Sequence, residues 1–441
     1  MEDITKNNKS IIRSWAMFDW ANSAYNLVIT STIFPAYYTI ITLTEENGDR
    51  VDFFGFSFIN TALANYSLAF SYLVMVILLP VFSAIADYKR NRKTMMKGFT
   101  YMGAIACMGL YFFKLETLEW GIICSSLAAM GYIGGVLFNN SYLPEIATVD
   151  QQDRVSAKGF AYGYVGSVIL QLICFLFVLK PEWFGIEDAS FPARFSFLLV
   201  GLWWILFSQI PFKRLPTRPK NPDKLNRHIL KKGFLELKKV WIQIKALPAL
   251  KGFLGAFFFY AMGVQTIMLV AAAFGEKVLH LGASKLIITI LVIQLVAIAG
   301  AYLMAWLASK IGNINVLLIV VSLWIFICIS AFYIANEMQF YVLAMLVGLV
   351  MGGTQSISRS TFSKLVPEKT MDTASFFSFY DVTEKLAIVI GLFSFGFIEE
   401  ITHNIRLSAL FLTLFFLIGL ILLVRIPRIS VLQQKKSTSH L

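Results

Sequence analysis

Three acids stand inside long apolar runs of this chain, and their neighbours set the chemistry open to them. Asp19 is followed at i+3 and i+7 by Asn22 and Asn26, with Ser23 and Thr30 close by. That spacing predicts one polar helical face, which must turn toward protein or water rather than lipid. It suits either a cavity lining that binds a solute or a coupling proton, or a structural hydrogen-bond network, and both readings stand open. Asp381, Glu384 and Lys385 follow Ser375 and Ser378 and precede a wholly apolar run. Asp381 and Lys385 are four apart, acid first, so the spacing predicts an internal ion pair that leaves Glu384 without a local partner. A lone carboxylate in an apolar setting can take up and release a proton, which makes Glu384 the candidate for proton coupling. Arg359 lies among Ser356, Ser358 and Ser360, next to Gln355. Its guanidinium fork suits a carboxylate ligand. The same position also suits snorkelling to an interface or pinning a loop.

Other chemistries find no support in the residue pattern. There is no phosphate-binding loop, metal-ligand cluster or nucleophile motif, and the four histidines are scattered. No cofactor is expected, and a membrane-embedded enzyme is the least supported class. The formal net charge of +12 does not point to nucleic acid, because the basic residues sit in short segments between apolar runs. Cys107, Cys124, Cys174 and Cys328 all lie within apolar runs and read as small buried hydrophobes.

The elements that must position these groups are membrane spans. The 441 residues are 57% hydrophobic and 15% charged, too apolar for one soluble core. A span needs about 20 residues. Twelve stretches qualify: Trp15–Leu43, Phe56–Ala84, Met95–Phe113, Leu118–Asn139, Ser156–Leu179, Phe191–Ile210, Pro248–Phe274, Lys285–Leu307, Ile314–Ala335, Gln339–Thr361, Ala374–Ile398 and Ile405–Val424. Alternating the sides puts 30 of the 38 Lys and Arg on one face and seven on the other, with Lys385 inside a span. The positive-inside rule makes the basic face cytoplasmic, with both termini there. No cleavable signal peptide is expected. The organisation expected is an N-terminal six-helix unit over 1–210, a basic linker over 211–247 lying on anionic headgroups, and a C-terminal six-helix unit over 248–441 with a basic tail.

The two halves carry a weak repeat. The stretch Ser83–Lys93 follows the second span, and Ala305–Asn313 follows the eighth, where Asp87 aligns with Ser309 at an offset of 222. Leu143-Pro144-Glu145 and Val366-Pro367-Glu368 follow the fourth and tenth spans, at 223. Parallel repeats of this kind hold a ligand site between them near the midplane. The glycines Gly159, Gly163 and Gly166, and Gly348, Gly352 and Gly353, have helix-packing spacing.

Asp87 followed by Arg92 and Lys93 resembles the loop motif of the major facilitator superfamily, with Ser83 and Arg90 standing where glycines are usual. Ser14-Trp15-Ala16-Met17-Phe18-Asp19-Trp20-Ala21-Asn22-Ser23-Ala24-Tyr25, Asn140–Ala147, Asp153–Ala161 and Gly352–Ser360 together resemble its vacuole-effluxer-like branch. The resemblance implies an all-α integral membrane fold of twelve helices in two pseudo-symmetric six-helix bundles. It also implies secondary active transport of a small-molecule substrate, amino acids or related metabolites, by alternating access, as an exporter coupled to protons. Asp87, Arg90, Arg92 and Lys93 would then form a gating latch on the cytoplasmic side, with the counterpart latch weakened where Ser309 replaces the acid. A functional monomer in a bacterial inner membrane is expected. The reading from another class is a receptor or scaffold that keeps the fold without transporting. The topology has a direct test. A membrane-impermeant thiol reagent applied to intact cells should label a cysteine placed at Asn47 and spare one placed at Asn221.

Overall fold

The computed structural model describes residues 6–43, 48–217, 229–368 and 370–426. Glu45, Lys369, the linker stretch 218–228 and the basic tail after Ile426 lie outside the described residues.

The first apolar run does not hold one helix. α1 (Lys9–Ala24) begins at Asn8, whose side-chain oxygen accepts from the amides of Ser10 (2.9 Å) and Ile11 (3.3 Å). It passes into a π-helical segment, Tyr25–Thr30, and α2 (Ile33–Thr42) starts afresh. Pro35 accounts for the break: it has no N–H for the Ser31 carbonyl, and its ring crowds that oxygen. The Asn26 carbonyl closes the π segment, accepting from both the amide (3.1 Å) and the hydroxyl (2.9 Å) of Ser31. An unbroken span from Trp15 to Leu43 is thereby corrected.

A hairpin follows, β1 (Arg50–Phe53) and β2 (Phe56–Ile59), antiparallel with Phe53 opposite Phe56. Its two-residue turn, Phe54-Gly55, has both φ values positive (49° and 82°), as a twist-matched tight turn requires. The second span therefore starts at Asn60, not Phe56. α3 (Asn60–Lys89), α4 (Arg92–Gly109), α5 (Leu118–Asn140), the single turn α6 (Leu143–Ile146), α7 (Gln152–Leu179) and α8 (Phe191–Arg214) complete the first part. α9 (Ile229–Ala246) occupies the linker. The rest is α10 (Pro248–Leu279), α11 (Ala283–Ile311), α12 (Asn313–Tyr333), α13 (Glu337–Leu365), α14 (Thr373–Thr402) and α15 (Ile405–Val424).

Among the described residues nine helical segments are long and apolar enough to cross a membrane: α3, α5 with its flanking turns, α7, α8, α10, α11, α12, α13 and α15. The other three expected spans fall short for definite reasons. α1 and α2 are separated by the π segment, α4 opens with Arg92, Lys93 and Lys97, and α14 carries Asp381, Glu384 and Lys385. One apolar cluster draws on Val240 to Ile426, together with Ala157 and Tyr164 of α7. Two others draw on residues between Ile12 and Leu215, joined by Ala374.

Small residues set the closest helix approaches. A Cβ on Gly352 of α13 would sit 2.0 Å from the Ala297 carbonyl oxygen of α11. One on Gly163 of α7 would sit 2.5 Å from Ser23 Oγ of α1. Backbones this near need glycine, the usual device where lipid supplies no hydrophobic drive between helices. Gly352→Val should therefore cost at least about 1–3 kcal/mol by overpacking, read as a lower melting temperature in detergent.

Candidate functional site

Arg359 lies six residues before the end of α13 and is buried, not snorkelling. Its Nη1 donates to Asp19 Oδ2 (3.0 Å) and to Asn140 Oδ1 (3.1 Å). Nε donates to Ser156 Oγ (3.0 Å), and Nη2 to the Ser156 carbonyl (2.7 Å). The guanidinium carbon sits 4.7 Å from the Trp15 ring centroid and 4.1 Å from that of Phe160. Asn139 Nδ2 donates to the other Asp19 oxygen at 3.2 Å, and Trp15 Nε1 to the Asn139 carbonyl at 2.7 Å. Most of the guanidinium's five donors are spent, so in this conformation Arg359 holds α1, α5 and α7 to α13 rather than a ligand. Gly159 makes room for the pair, since a Cβ there would meet Asp19 Oδ2 at 2.4 Å and Arg359 Nη2 at 2.6 Å.

Asn22 is buried with its Oδ1 unpaired, while Asn26 falls in the π segment, where its carbonyl takes the Ser31 hydroxyl. The polar face predicted for Asp19, Asn22 and Asn26 is thus divided: the acid joins the Arg359 cluster and the two amides do not.

Two further clusters cross between the parts of the chain on the same face. In the first, Asp87 Oδ2 accepts from the Ser375 amide (2.7 Å) and hydroxyl (2.8 Å), and Oδ1 from the Ala374 amide (3.3 Å). The acid thereby caps the N-terminus of α14 from another helix, where the helix dipole favours negative charge. Arg92 is 3.8 Å from Asp87, pairs with Glu145, donates to Thr373 and stacks over Tyr142. Lys93 instead donates to the Leu215 carbonyl at 2.7 Å. Arg90 is exposed and ends α3 in the left-handed conformation, φ 56°. Asp87 and Arg92 thus meet as expected, and Arg90 and Lys93 stand apart from them.

In the second cluster Lys364 pairs with Asp153, and Asn313 Nδ2 donates to Asp153 Oδ1 at 2.6 Å. Lys364 Nζ donates to Asn313 Oδ1 at 2.9 Å. A counterpart latch weakened by Ser309 is therefore corrected. The acid is supplied from the other side of the contact, by the first turn of α7. Asp153 and Ser375 are themselves 222 residues apart, the offset of the repeat.

Deeper lies a third layer. Asp381 is eight residues into α14, about 12 Å along its axis, and Glu384 lies almost a turn further in. Lys385 Nζ bonds Glu384 Oε2 at 2.5 Å, and Gln265 Nε2 donates to Glu384 Oε1 at 2.8 Å. Asp381 is buried, and its Oδ2 has no hydrogen-bond partner. The predicted pairing is reversed: Lys385 takes its neighbour Glu384, and Asp381 is the acid left over. Around this layer the Tyr164 hydroxyl donates to Gln355 Oε1 (2.6 Å), and the hydroxyls of Tyr260 and Ser358 are 2.8 Å apart.

Ion pairs toward the other ends of these helices stay within one part of the chain: Lys277–Glu399 and Lys285–Glu337, each 2.7 Å, and Arg194–Asp188, 2.6 Å. Hydrogen bonds from Ser190 hold the exposed Asp188 carboxyl below the usual carboxylate range. Among the described residues, the ion pairs joining residues before 218 to residues after 247 are Asp19–Arg359 and Asp153–Lys364, both on the face of the α14 N-terminus.

This architecture is that of a major facilitator superfamily transporter, a multi-pass integral membrane protein. It superposes with a TM-score of 0.71 on the transporter FucP in its outward conformation, at 12% identity over 94% of this chain and 99% of that one. For the proton:xylose symporter XylE the TM-score is 0.69, at 12% identity and 95% of each chain. Within that class the chain belongs to the vacuole effluxer Atg22-like family, whose profile matches residues 7–436. The MFS-type transporter YxiO of Bacillus subtilis (strain 168) is 30% identical over 418 residues, covering 94% of both chains. Autophagy-related protein 22 of Eremothecium gossypii is 25% identical over 468 residues, covering 94% of this chain and 90% of its own.

Several cluster residues were not among the candidate site residues read from sequence: Asn139, Asn140, Glu145, Asp153, Ser156, Asn313 and Lys364. Most lie in or beside the segments that carry the family resemblance, which was the available signal. Arg359→Gln alone strands a buried carboxylate and should cost about 3–5 kcal/mol. Combining it with Asp19→Asn should recover much of that loss, measured as a double-mutant cycle on thermal unfolding in detergent.

Proposed function

We propose that this chain is a secondary active exporter that moves small amino-bearing solutes by alternating access, driven by a proton gradient. Residues 1–210 and 248–441 would act as two six-helix bundles with twelve spans in all, joined by the 211–247 linker. The basic face would be cytoplasmic, with both termini there, and the working unit a monomer in a bacterial inner membrane. The observation that carries the reading is the placement of ion pairs. Those joining the two parts of the chain gather at one face, whereas at the other end each pair stays within one part. Ion pairs made across one face only are what a rocking molecule holds in one of its two states. Arg359–Asp19, Asp153–Lys364 and Asp87 at the α14 N-terminus would break together when that face opens.

The deep layer supports the substrate and coupling assignments. Glu384 and Lys385 offer opposite charges to a zwitterion, and Asp381 Oδ2 is a free acceptor for an incoming proton or ammonium. The coupling role expected of Glu384 passes to Asp381, because both Glu384 oxygens already have partners. The name of the family, vacuole effluxer, favours export, and the family resemblance favours amino acids.

A thermal-shift screen against amino acids identifies the solute to test, since a ligand of the native state raises apparent stability. With that solute, Asp381→Asn in proteoliposomes should abolish transport driven by a pH gradient while leaving solute exchange intact. Gradient-driven transport at the parental rate would remove Asp381 from the coupling role.

A further inference from the structure

α9 has an inverted polarity. Its inner stripe is satisfied: Val240 and Ile244 are 0% and 1% exposed, within the apolar cluster of α10 to α15. Charge is then expected on the far side. Instead the far side carries Leu235 and Ile242, 58% and 57% exposed. At about 100° per residue, Leu235 and Ile242 fall within roughly 20° of each other, with Lys238 and Lys245 on one flank and Lys239 on the other. Lys245 Nζ lies 5.1 Å from the Trp241 ring centroid. An exposed apolar pole ringed by cations is the composition of a helix seated in the plane of a bilayer interface, where anionic headgroups complement the lysines.

The same helix touches the first latch. Lys239 Nζ is 3.1 Å from Asp372, the residue preceding α14, and the Trp241 ring stacks on Phe379 at 5.6 Å between centroids. α9 also packs on α3, the helix that ends with Asp87 and Lys89. It therefore bridges the two helices that Asp87 and Ser375 join.

We propose that α9 is a lipid-charge-responsive brace: its outward pole seats among the anionic lipid headgroups of the membrane the chain spans, and once seated it holds α14 against α3. The brace rests on the reading of this face as one that opens, but its seating is measured without transport.

The full chain carrying a spin label at Ile242→Cys is reconstituted in phosphatidylcholine vesicles with and without phosphatidylglycerol. The four native cysteines are buried. A second preparation carries labels at Thr94→Cys and Met371→Cys, which line one recess beside Asp87 and Arg92. With phosphatidylglycerol the 242 label should lose access to water-soluble nickel chelate and gain access to oxygen. The 94–371 distance should shift toward its shorter population. Lys238→Gln with Lys245→Gln should cancel both responses, and the depth response alone decides the seat whether or not the chain transports. A 242 label equally open to nickel in both vesicles overturns the proposal, as does a phosphatidylglycerol response that survives the double substitution or a seat that leaves the 94–371 distance unchanged. Protection of the label that follows protein-to-lipid ratio instead of phosphatidylglycerol would place a second copy on this face and overturn it too.

Discussion

The cost of placing an unpaired charge in an apolar medium governs this molecule. Arg359 is an arginine about 9 Å inside the end of α13, and such a group must be neutralised and hydrogen-bonded or it destabilises the fold. Satisfying it takes Asp19 from α1, Asn140 from α5 and Ser156 from α7, with Trp15 and Phe160 excluding water. Four helices are therefore fixed relative to one another by the needs of one side chain. Gly159 follows from the same need, since any larger residue would occupy the space of the pair.

The layers along these helices share this logic with different degrees of completion. Around Arg359 almost every donor is met. At the first latch the acid Asp87 meets backbone amides of α14 as well as Arg92, so a helix terminus does part of the work of a cation. In the deep layer satisfaction is incomplete: Glu384 and Lys385 meet, and Asp381 keeps one oxygen free. The unmet polarity thus lies deep along α14, and the met polarity toward the ends of the helices.

Much of this could be read before the fold was seen, and the failures have physical causes. The apolar runs located the nine long apolar helices among the described residues, because lipid imposes a length on each helix separately. Asp19 was marked as a charge inside a span, and Arg359 as a carboxylate ligand or a side chain that snorkels or pins a loop. Their pairing was not legible, since 340 residues separate them and nothing local joins α1 to α13. Asp381 and Lys385 were paired by spacing, yet an i,i+4 preference is worth only about 0.2–0.5 kcal/mol. Once Gln265 anchors Glu384 from another helix, the adjacent lysine finds a better partner there. Pro35 carried the break in the first span in plain view, outweighed by the apolar length around it.

The exchanged position of the acid in the second latch restricts which surfaces can meet. Residues before 218 bring Asp87 and Glu145 to one edge of the contact and Asp153 to the other; residues after 228 bring the positive helix end at Ser375 to one edge and Lys364 to the other. Two copies of the first part, docked as the halves are docked here, would oppose acid to acid. Two copies of the second would oppose a positive helix end to lysine. Each part would thus meet like charge in its own twin and opposite charge in its counterpart.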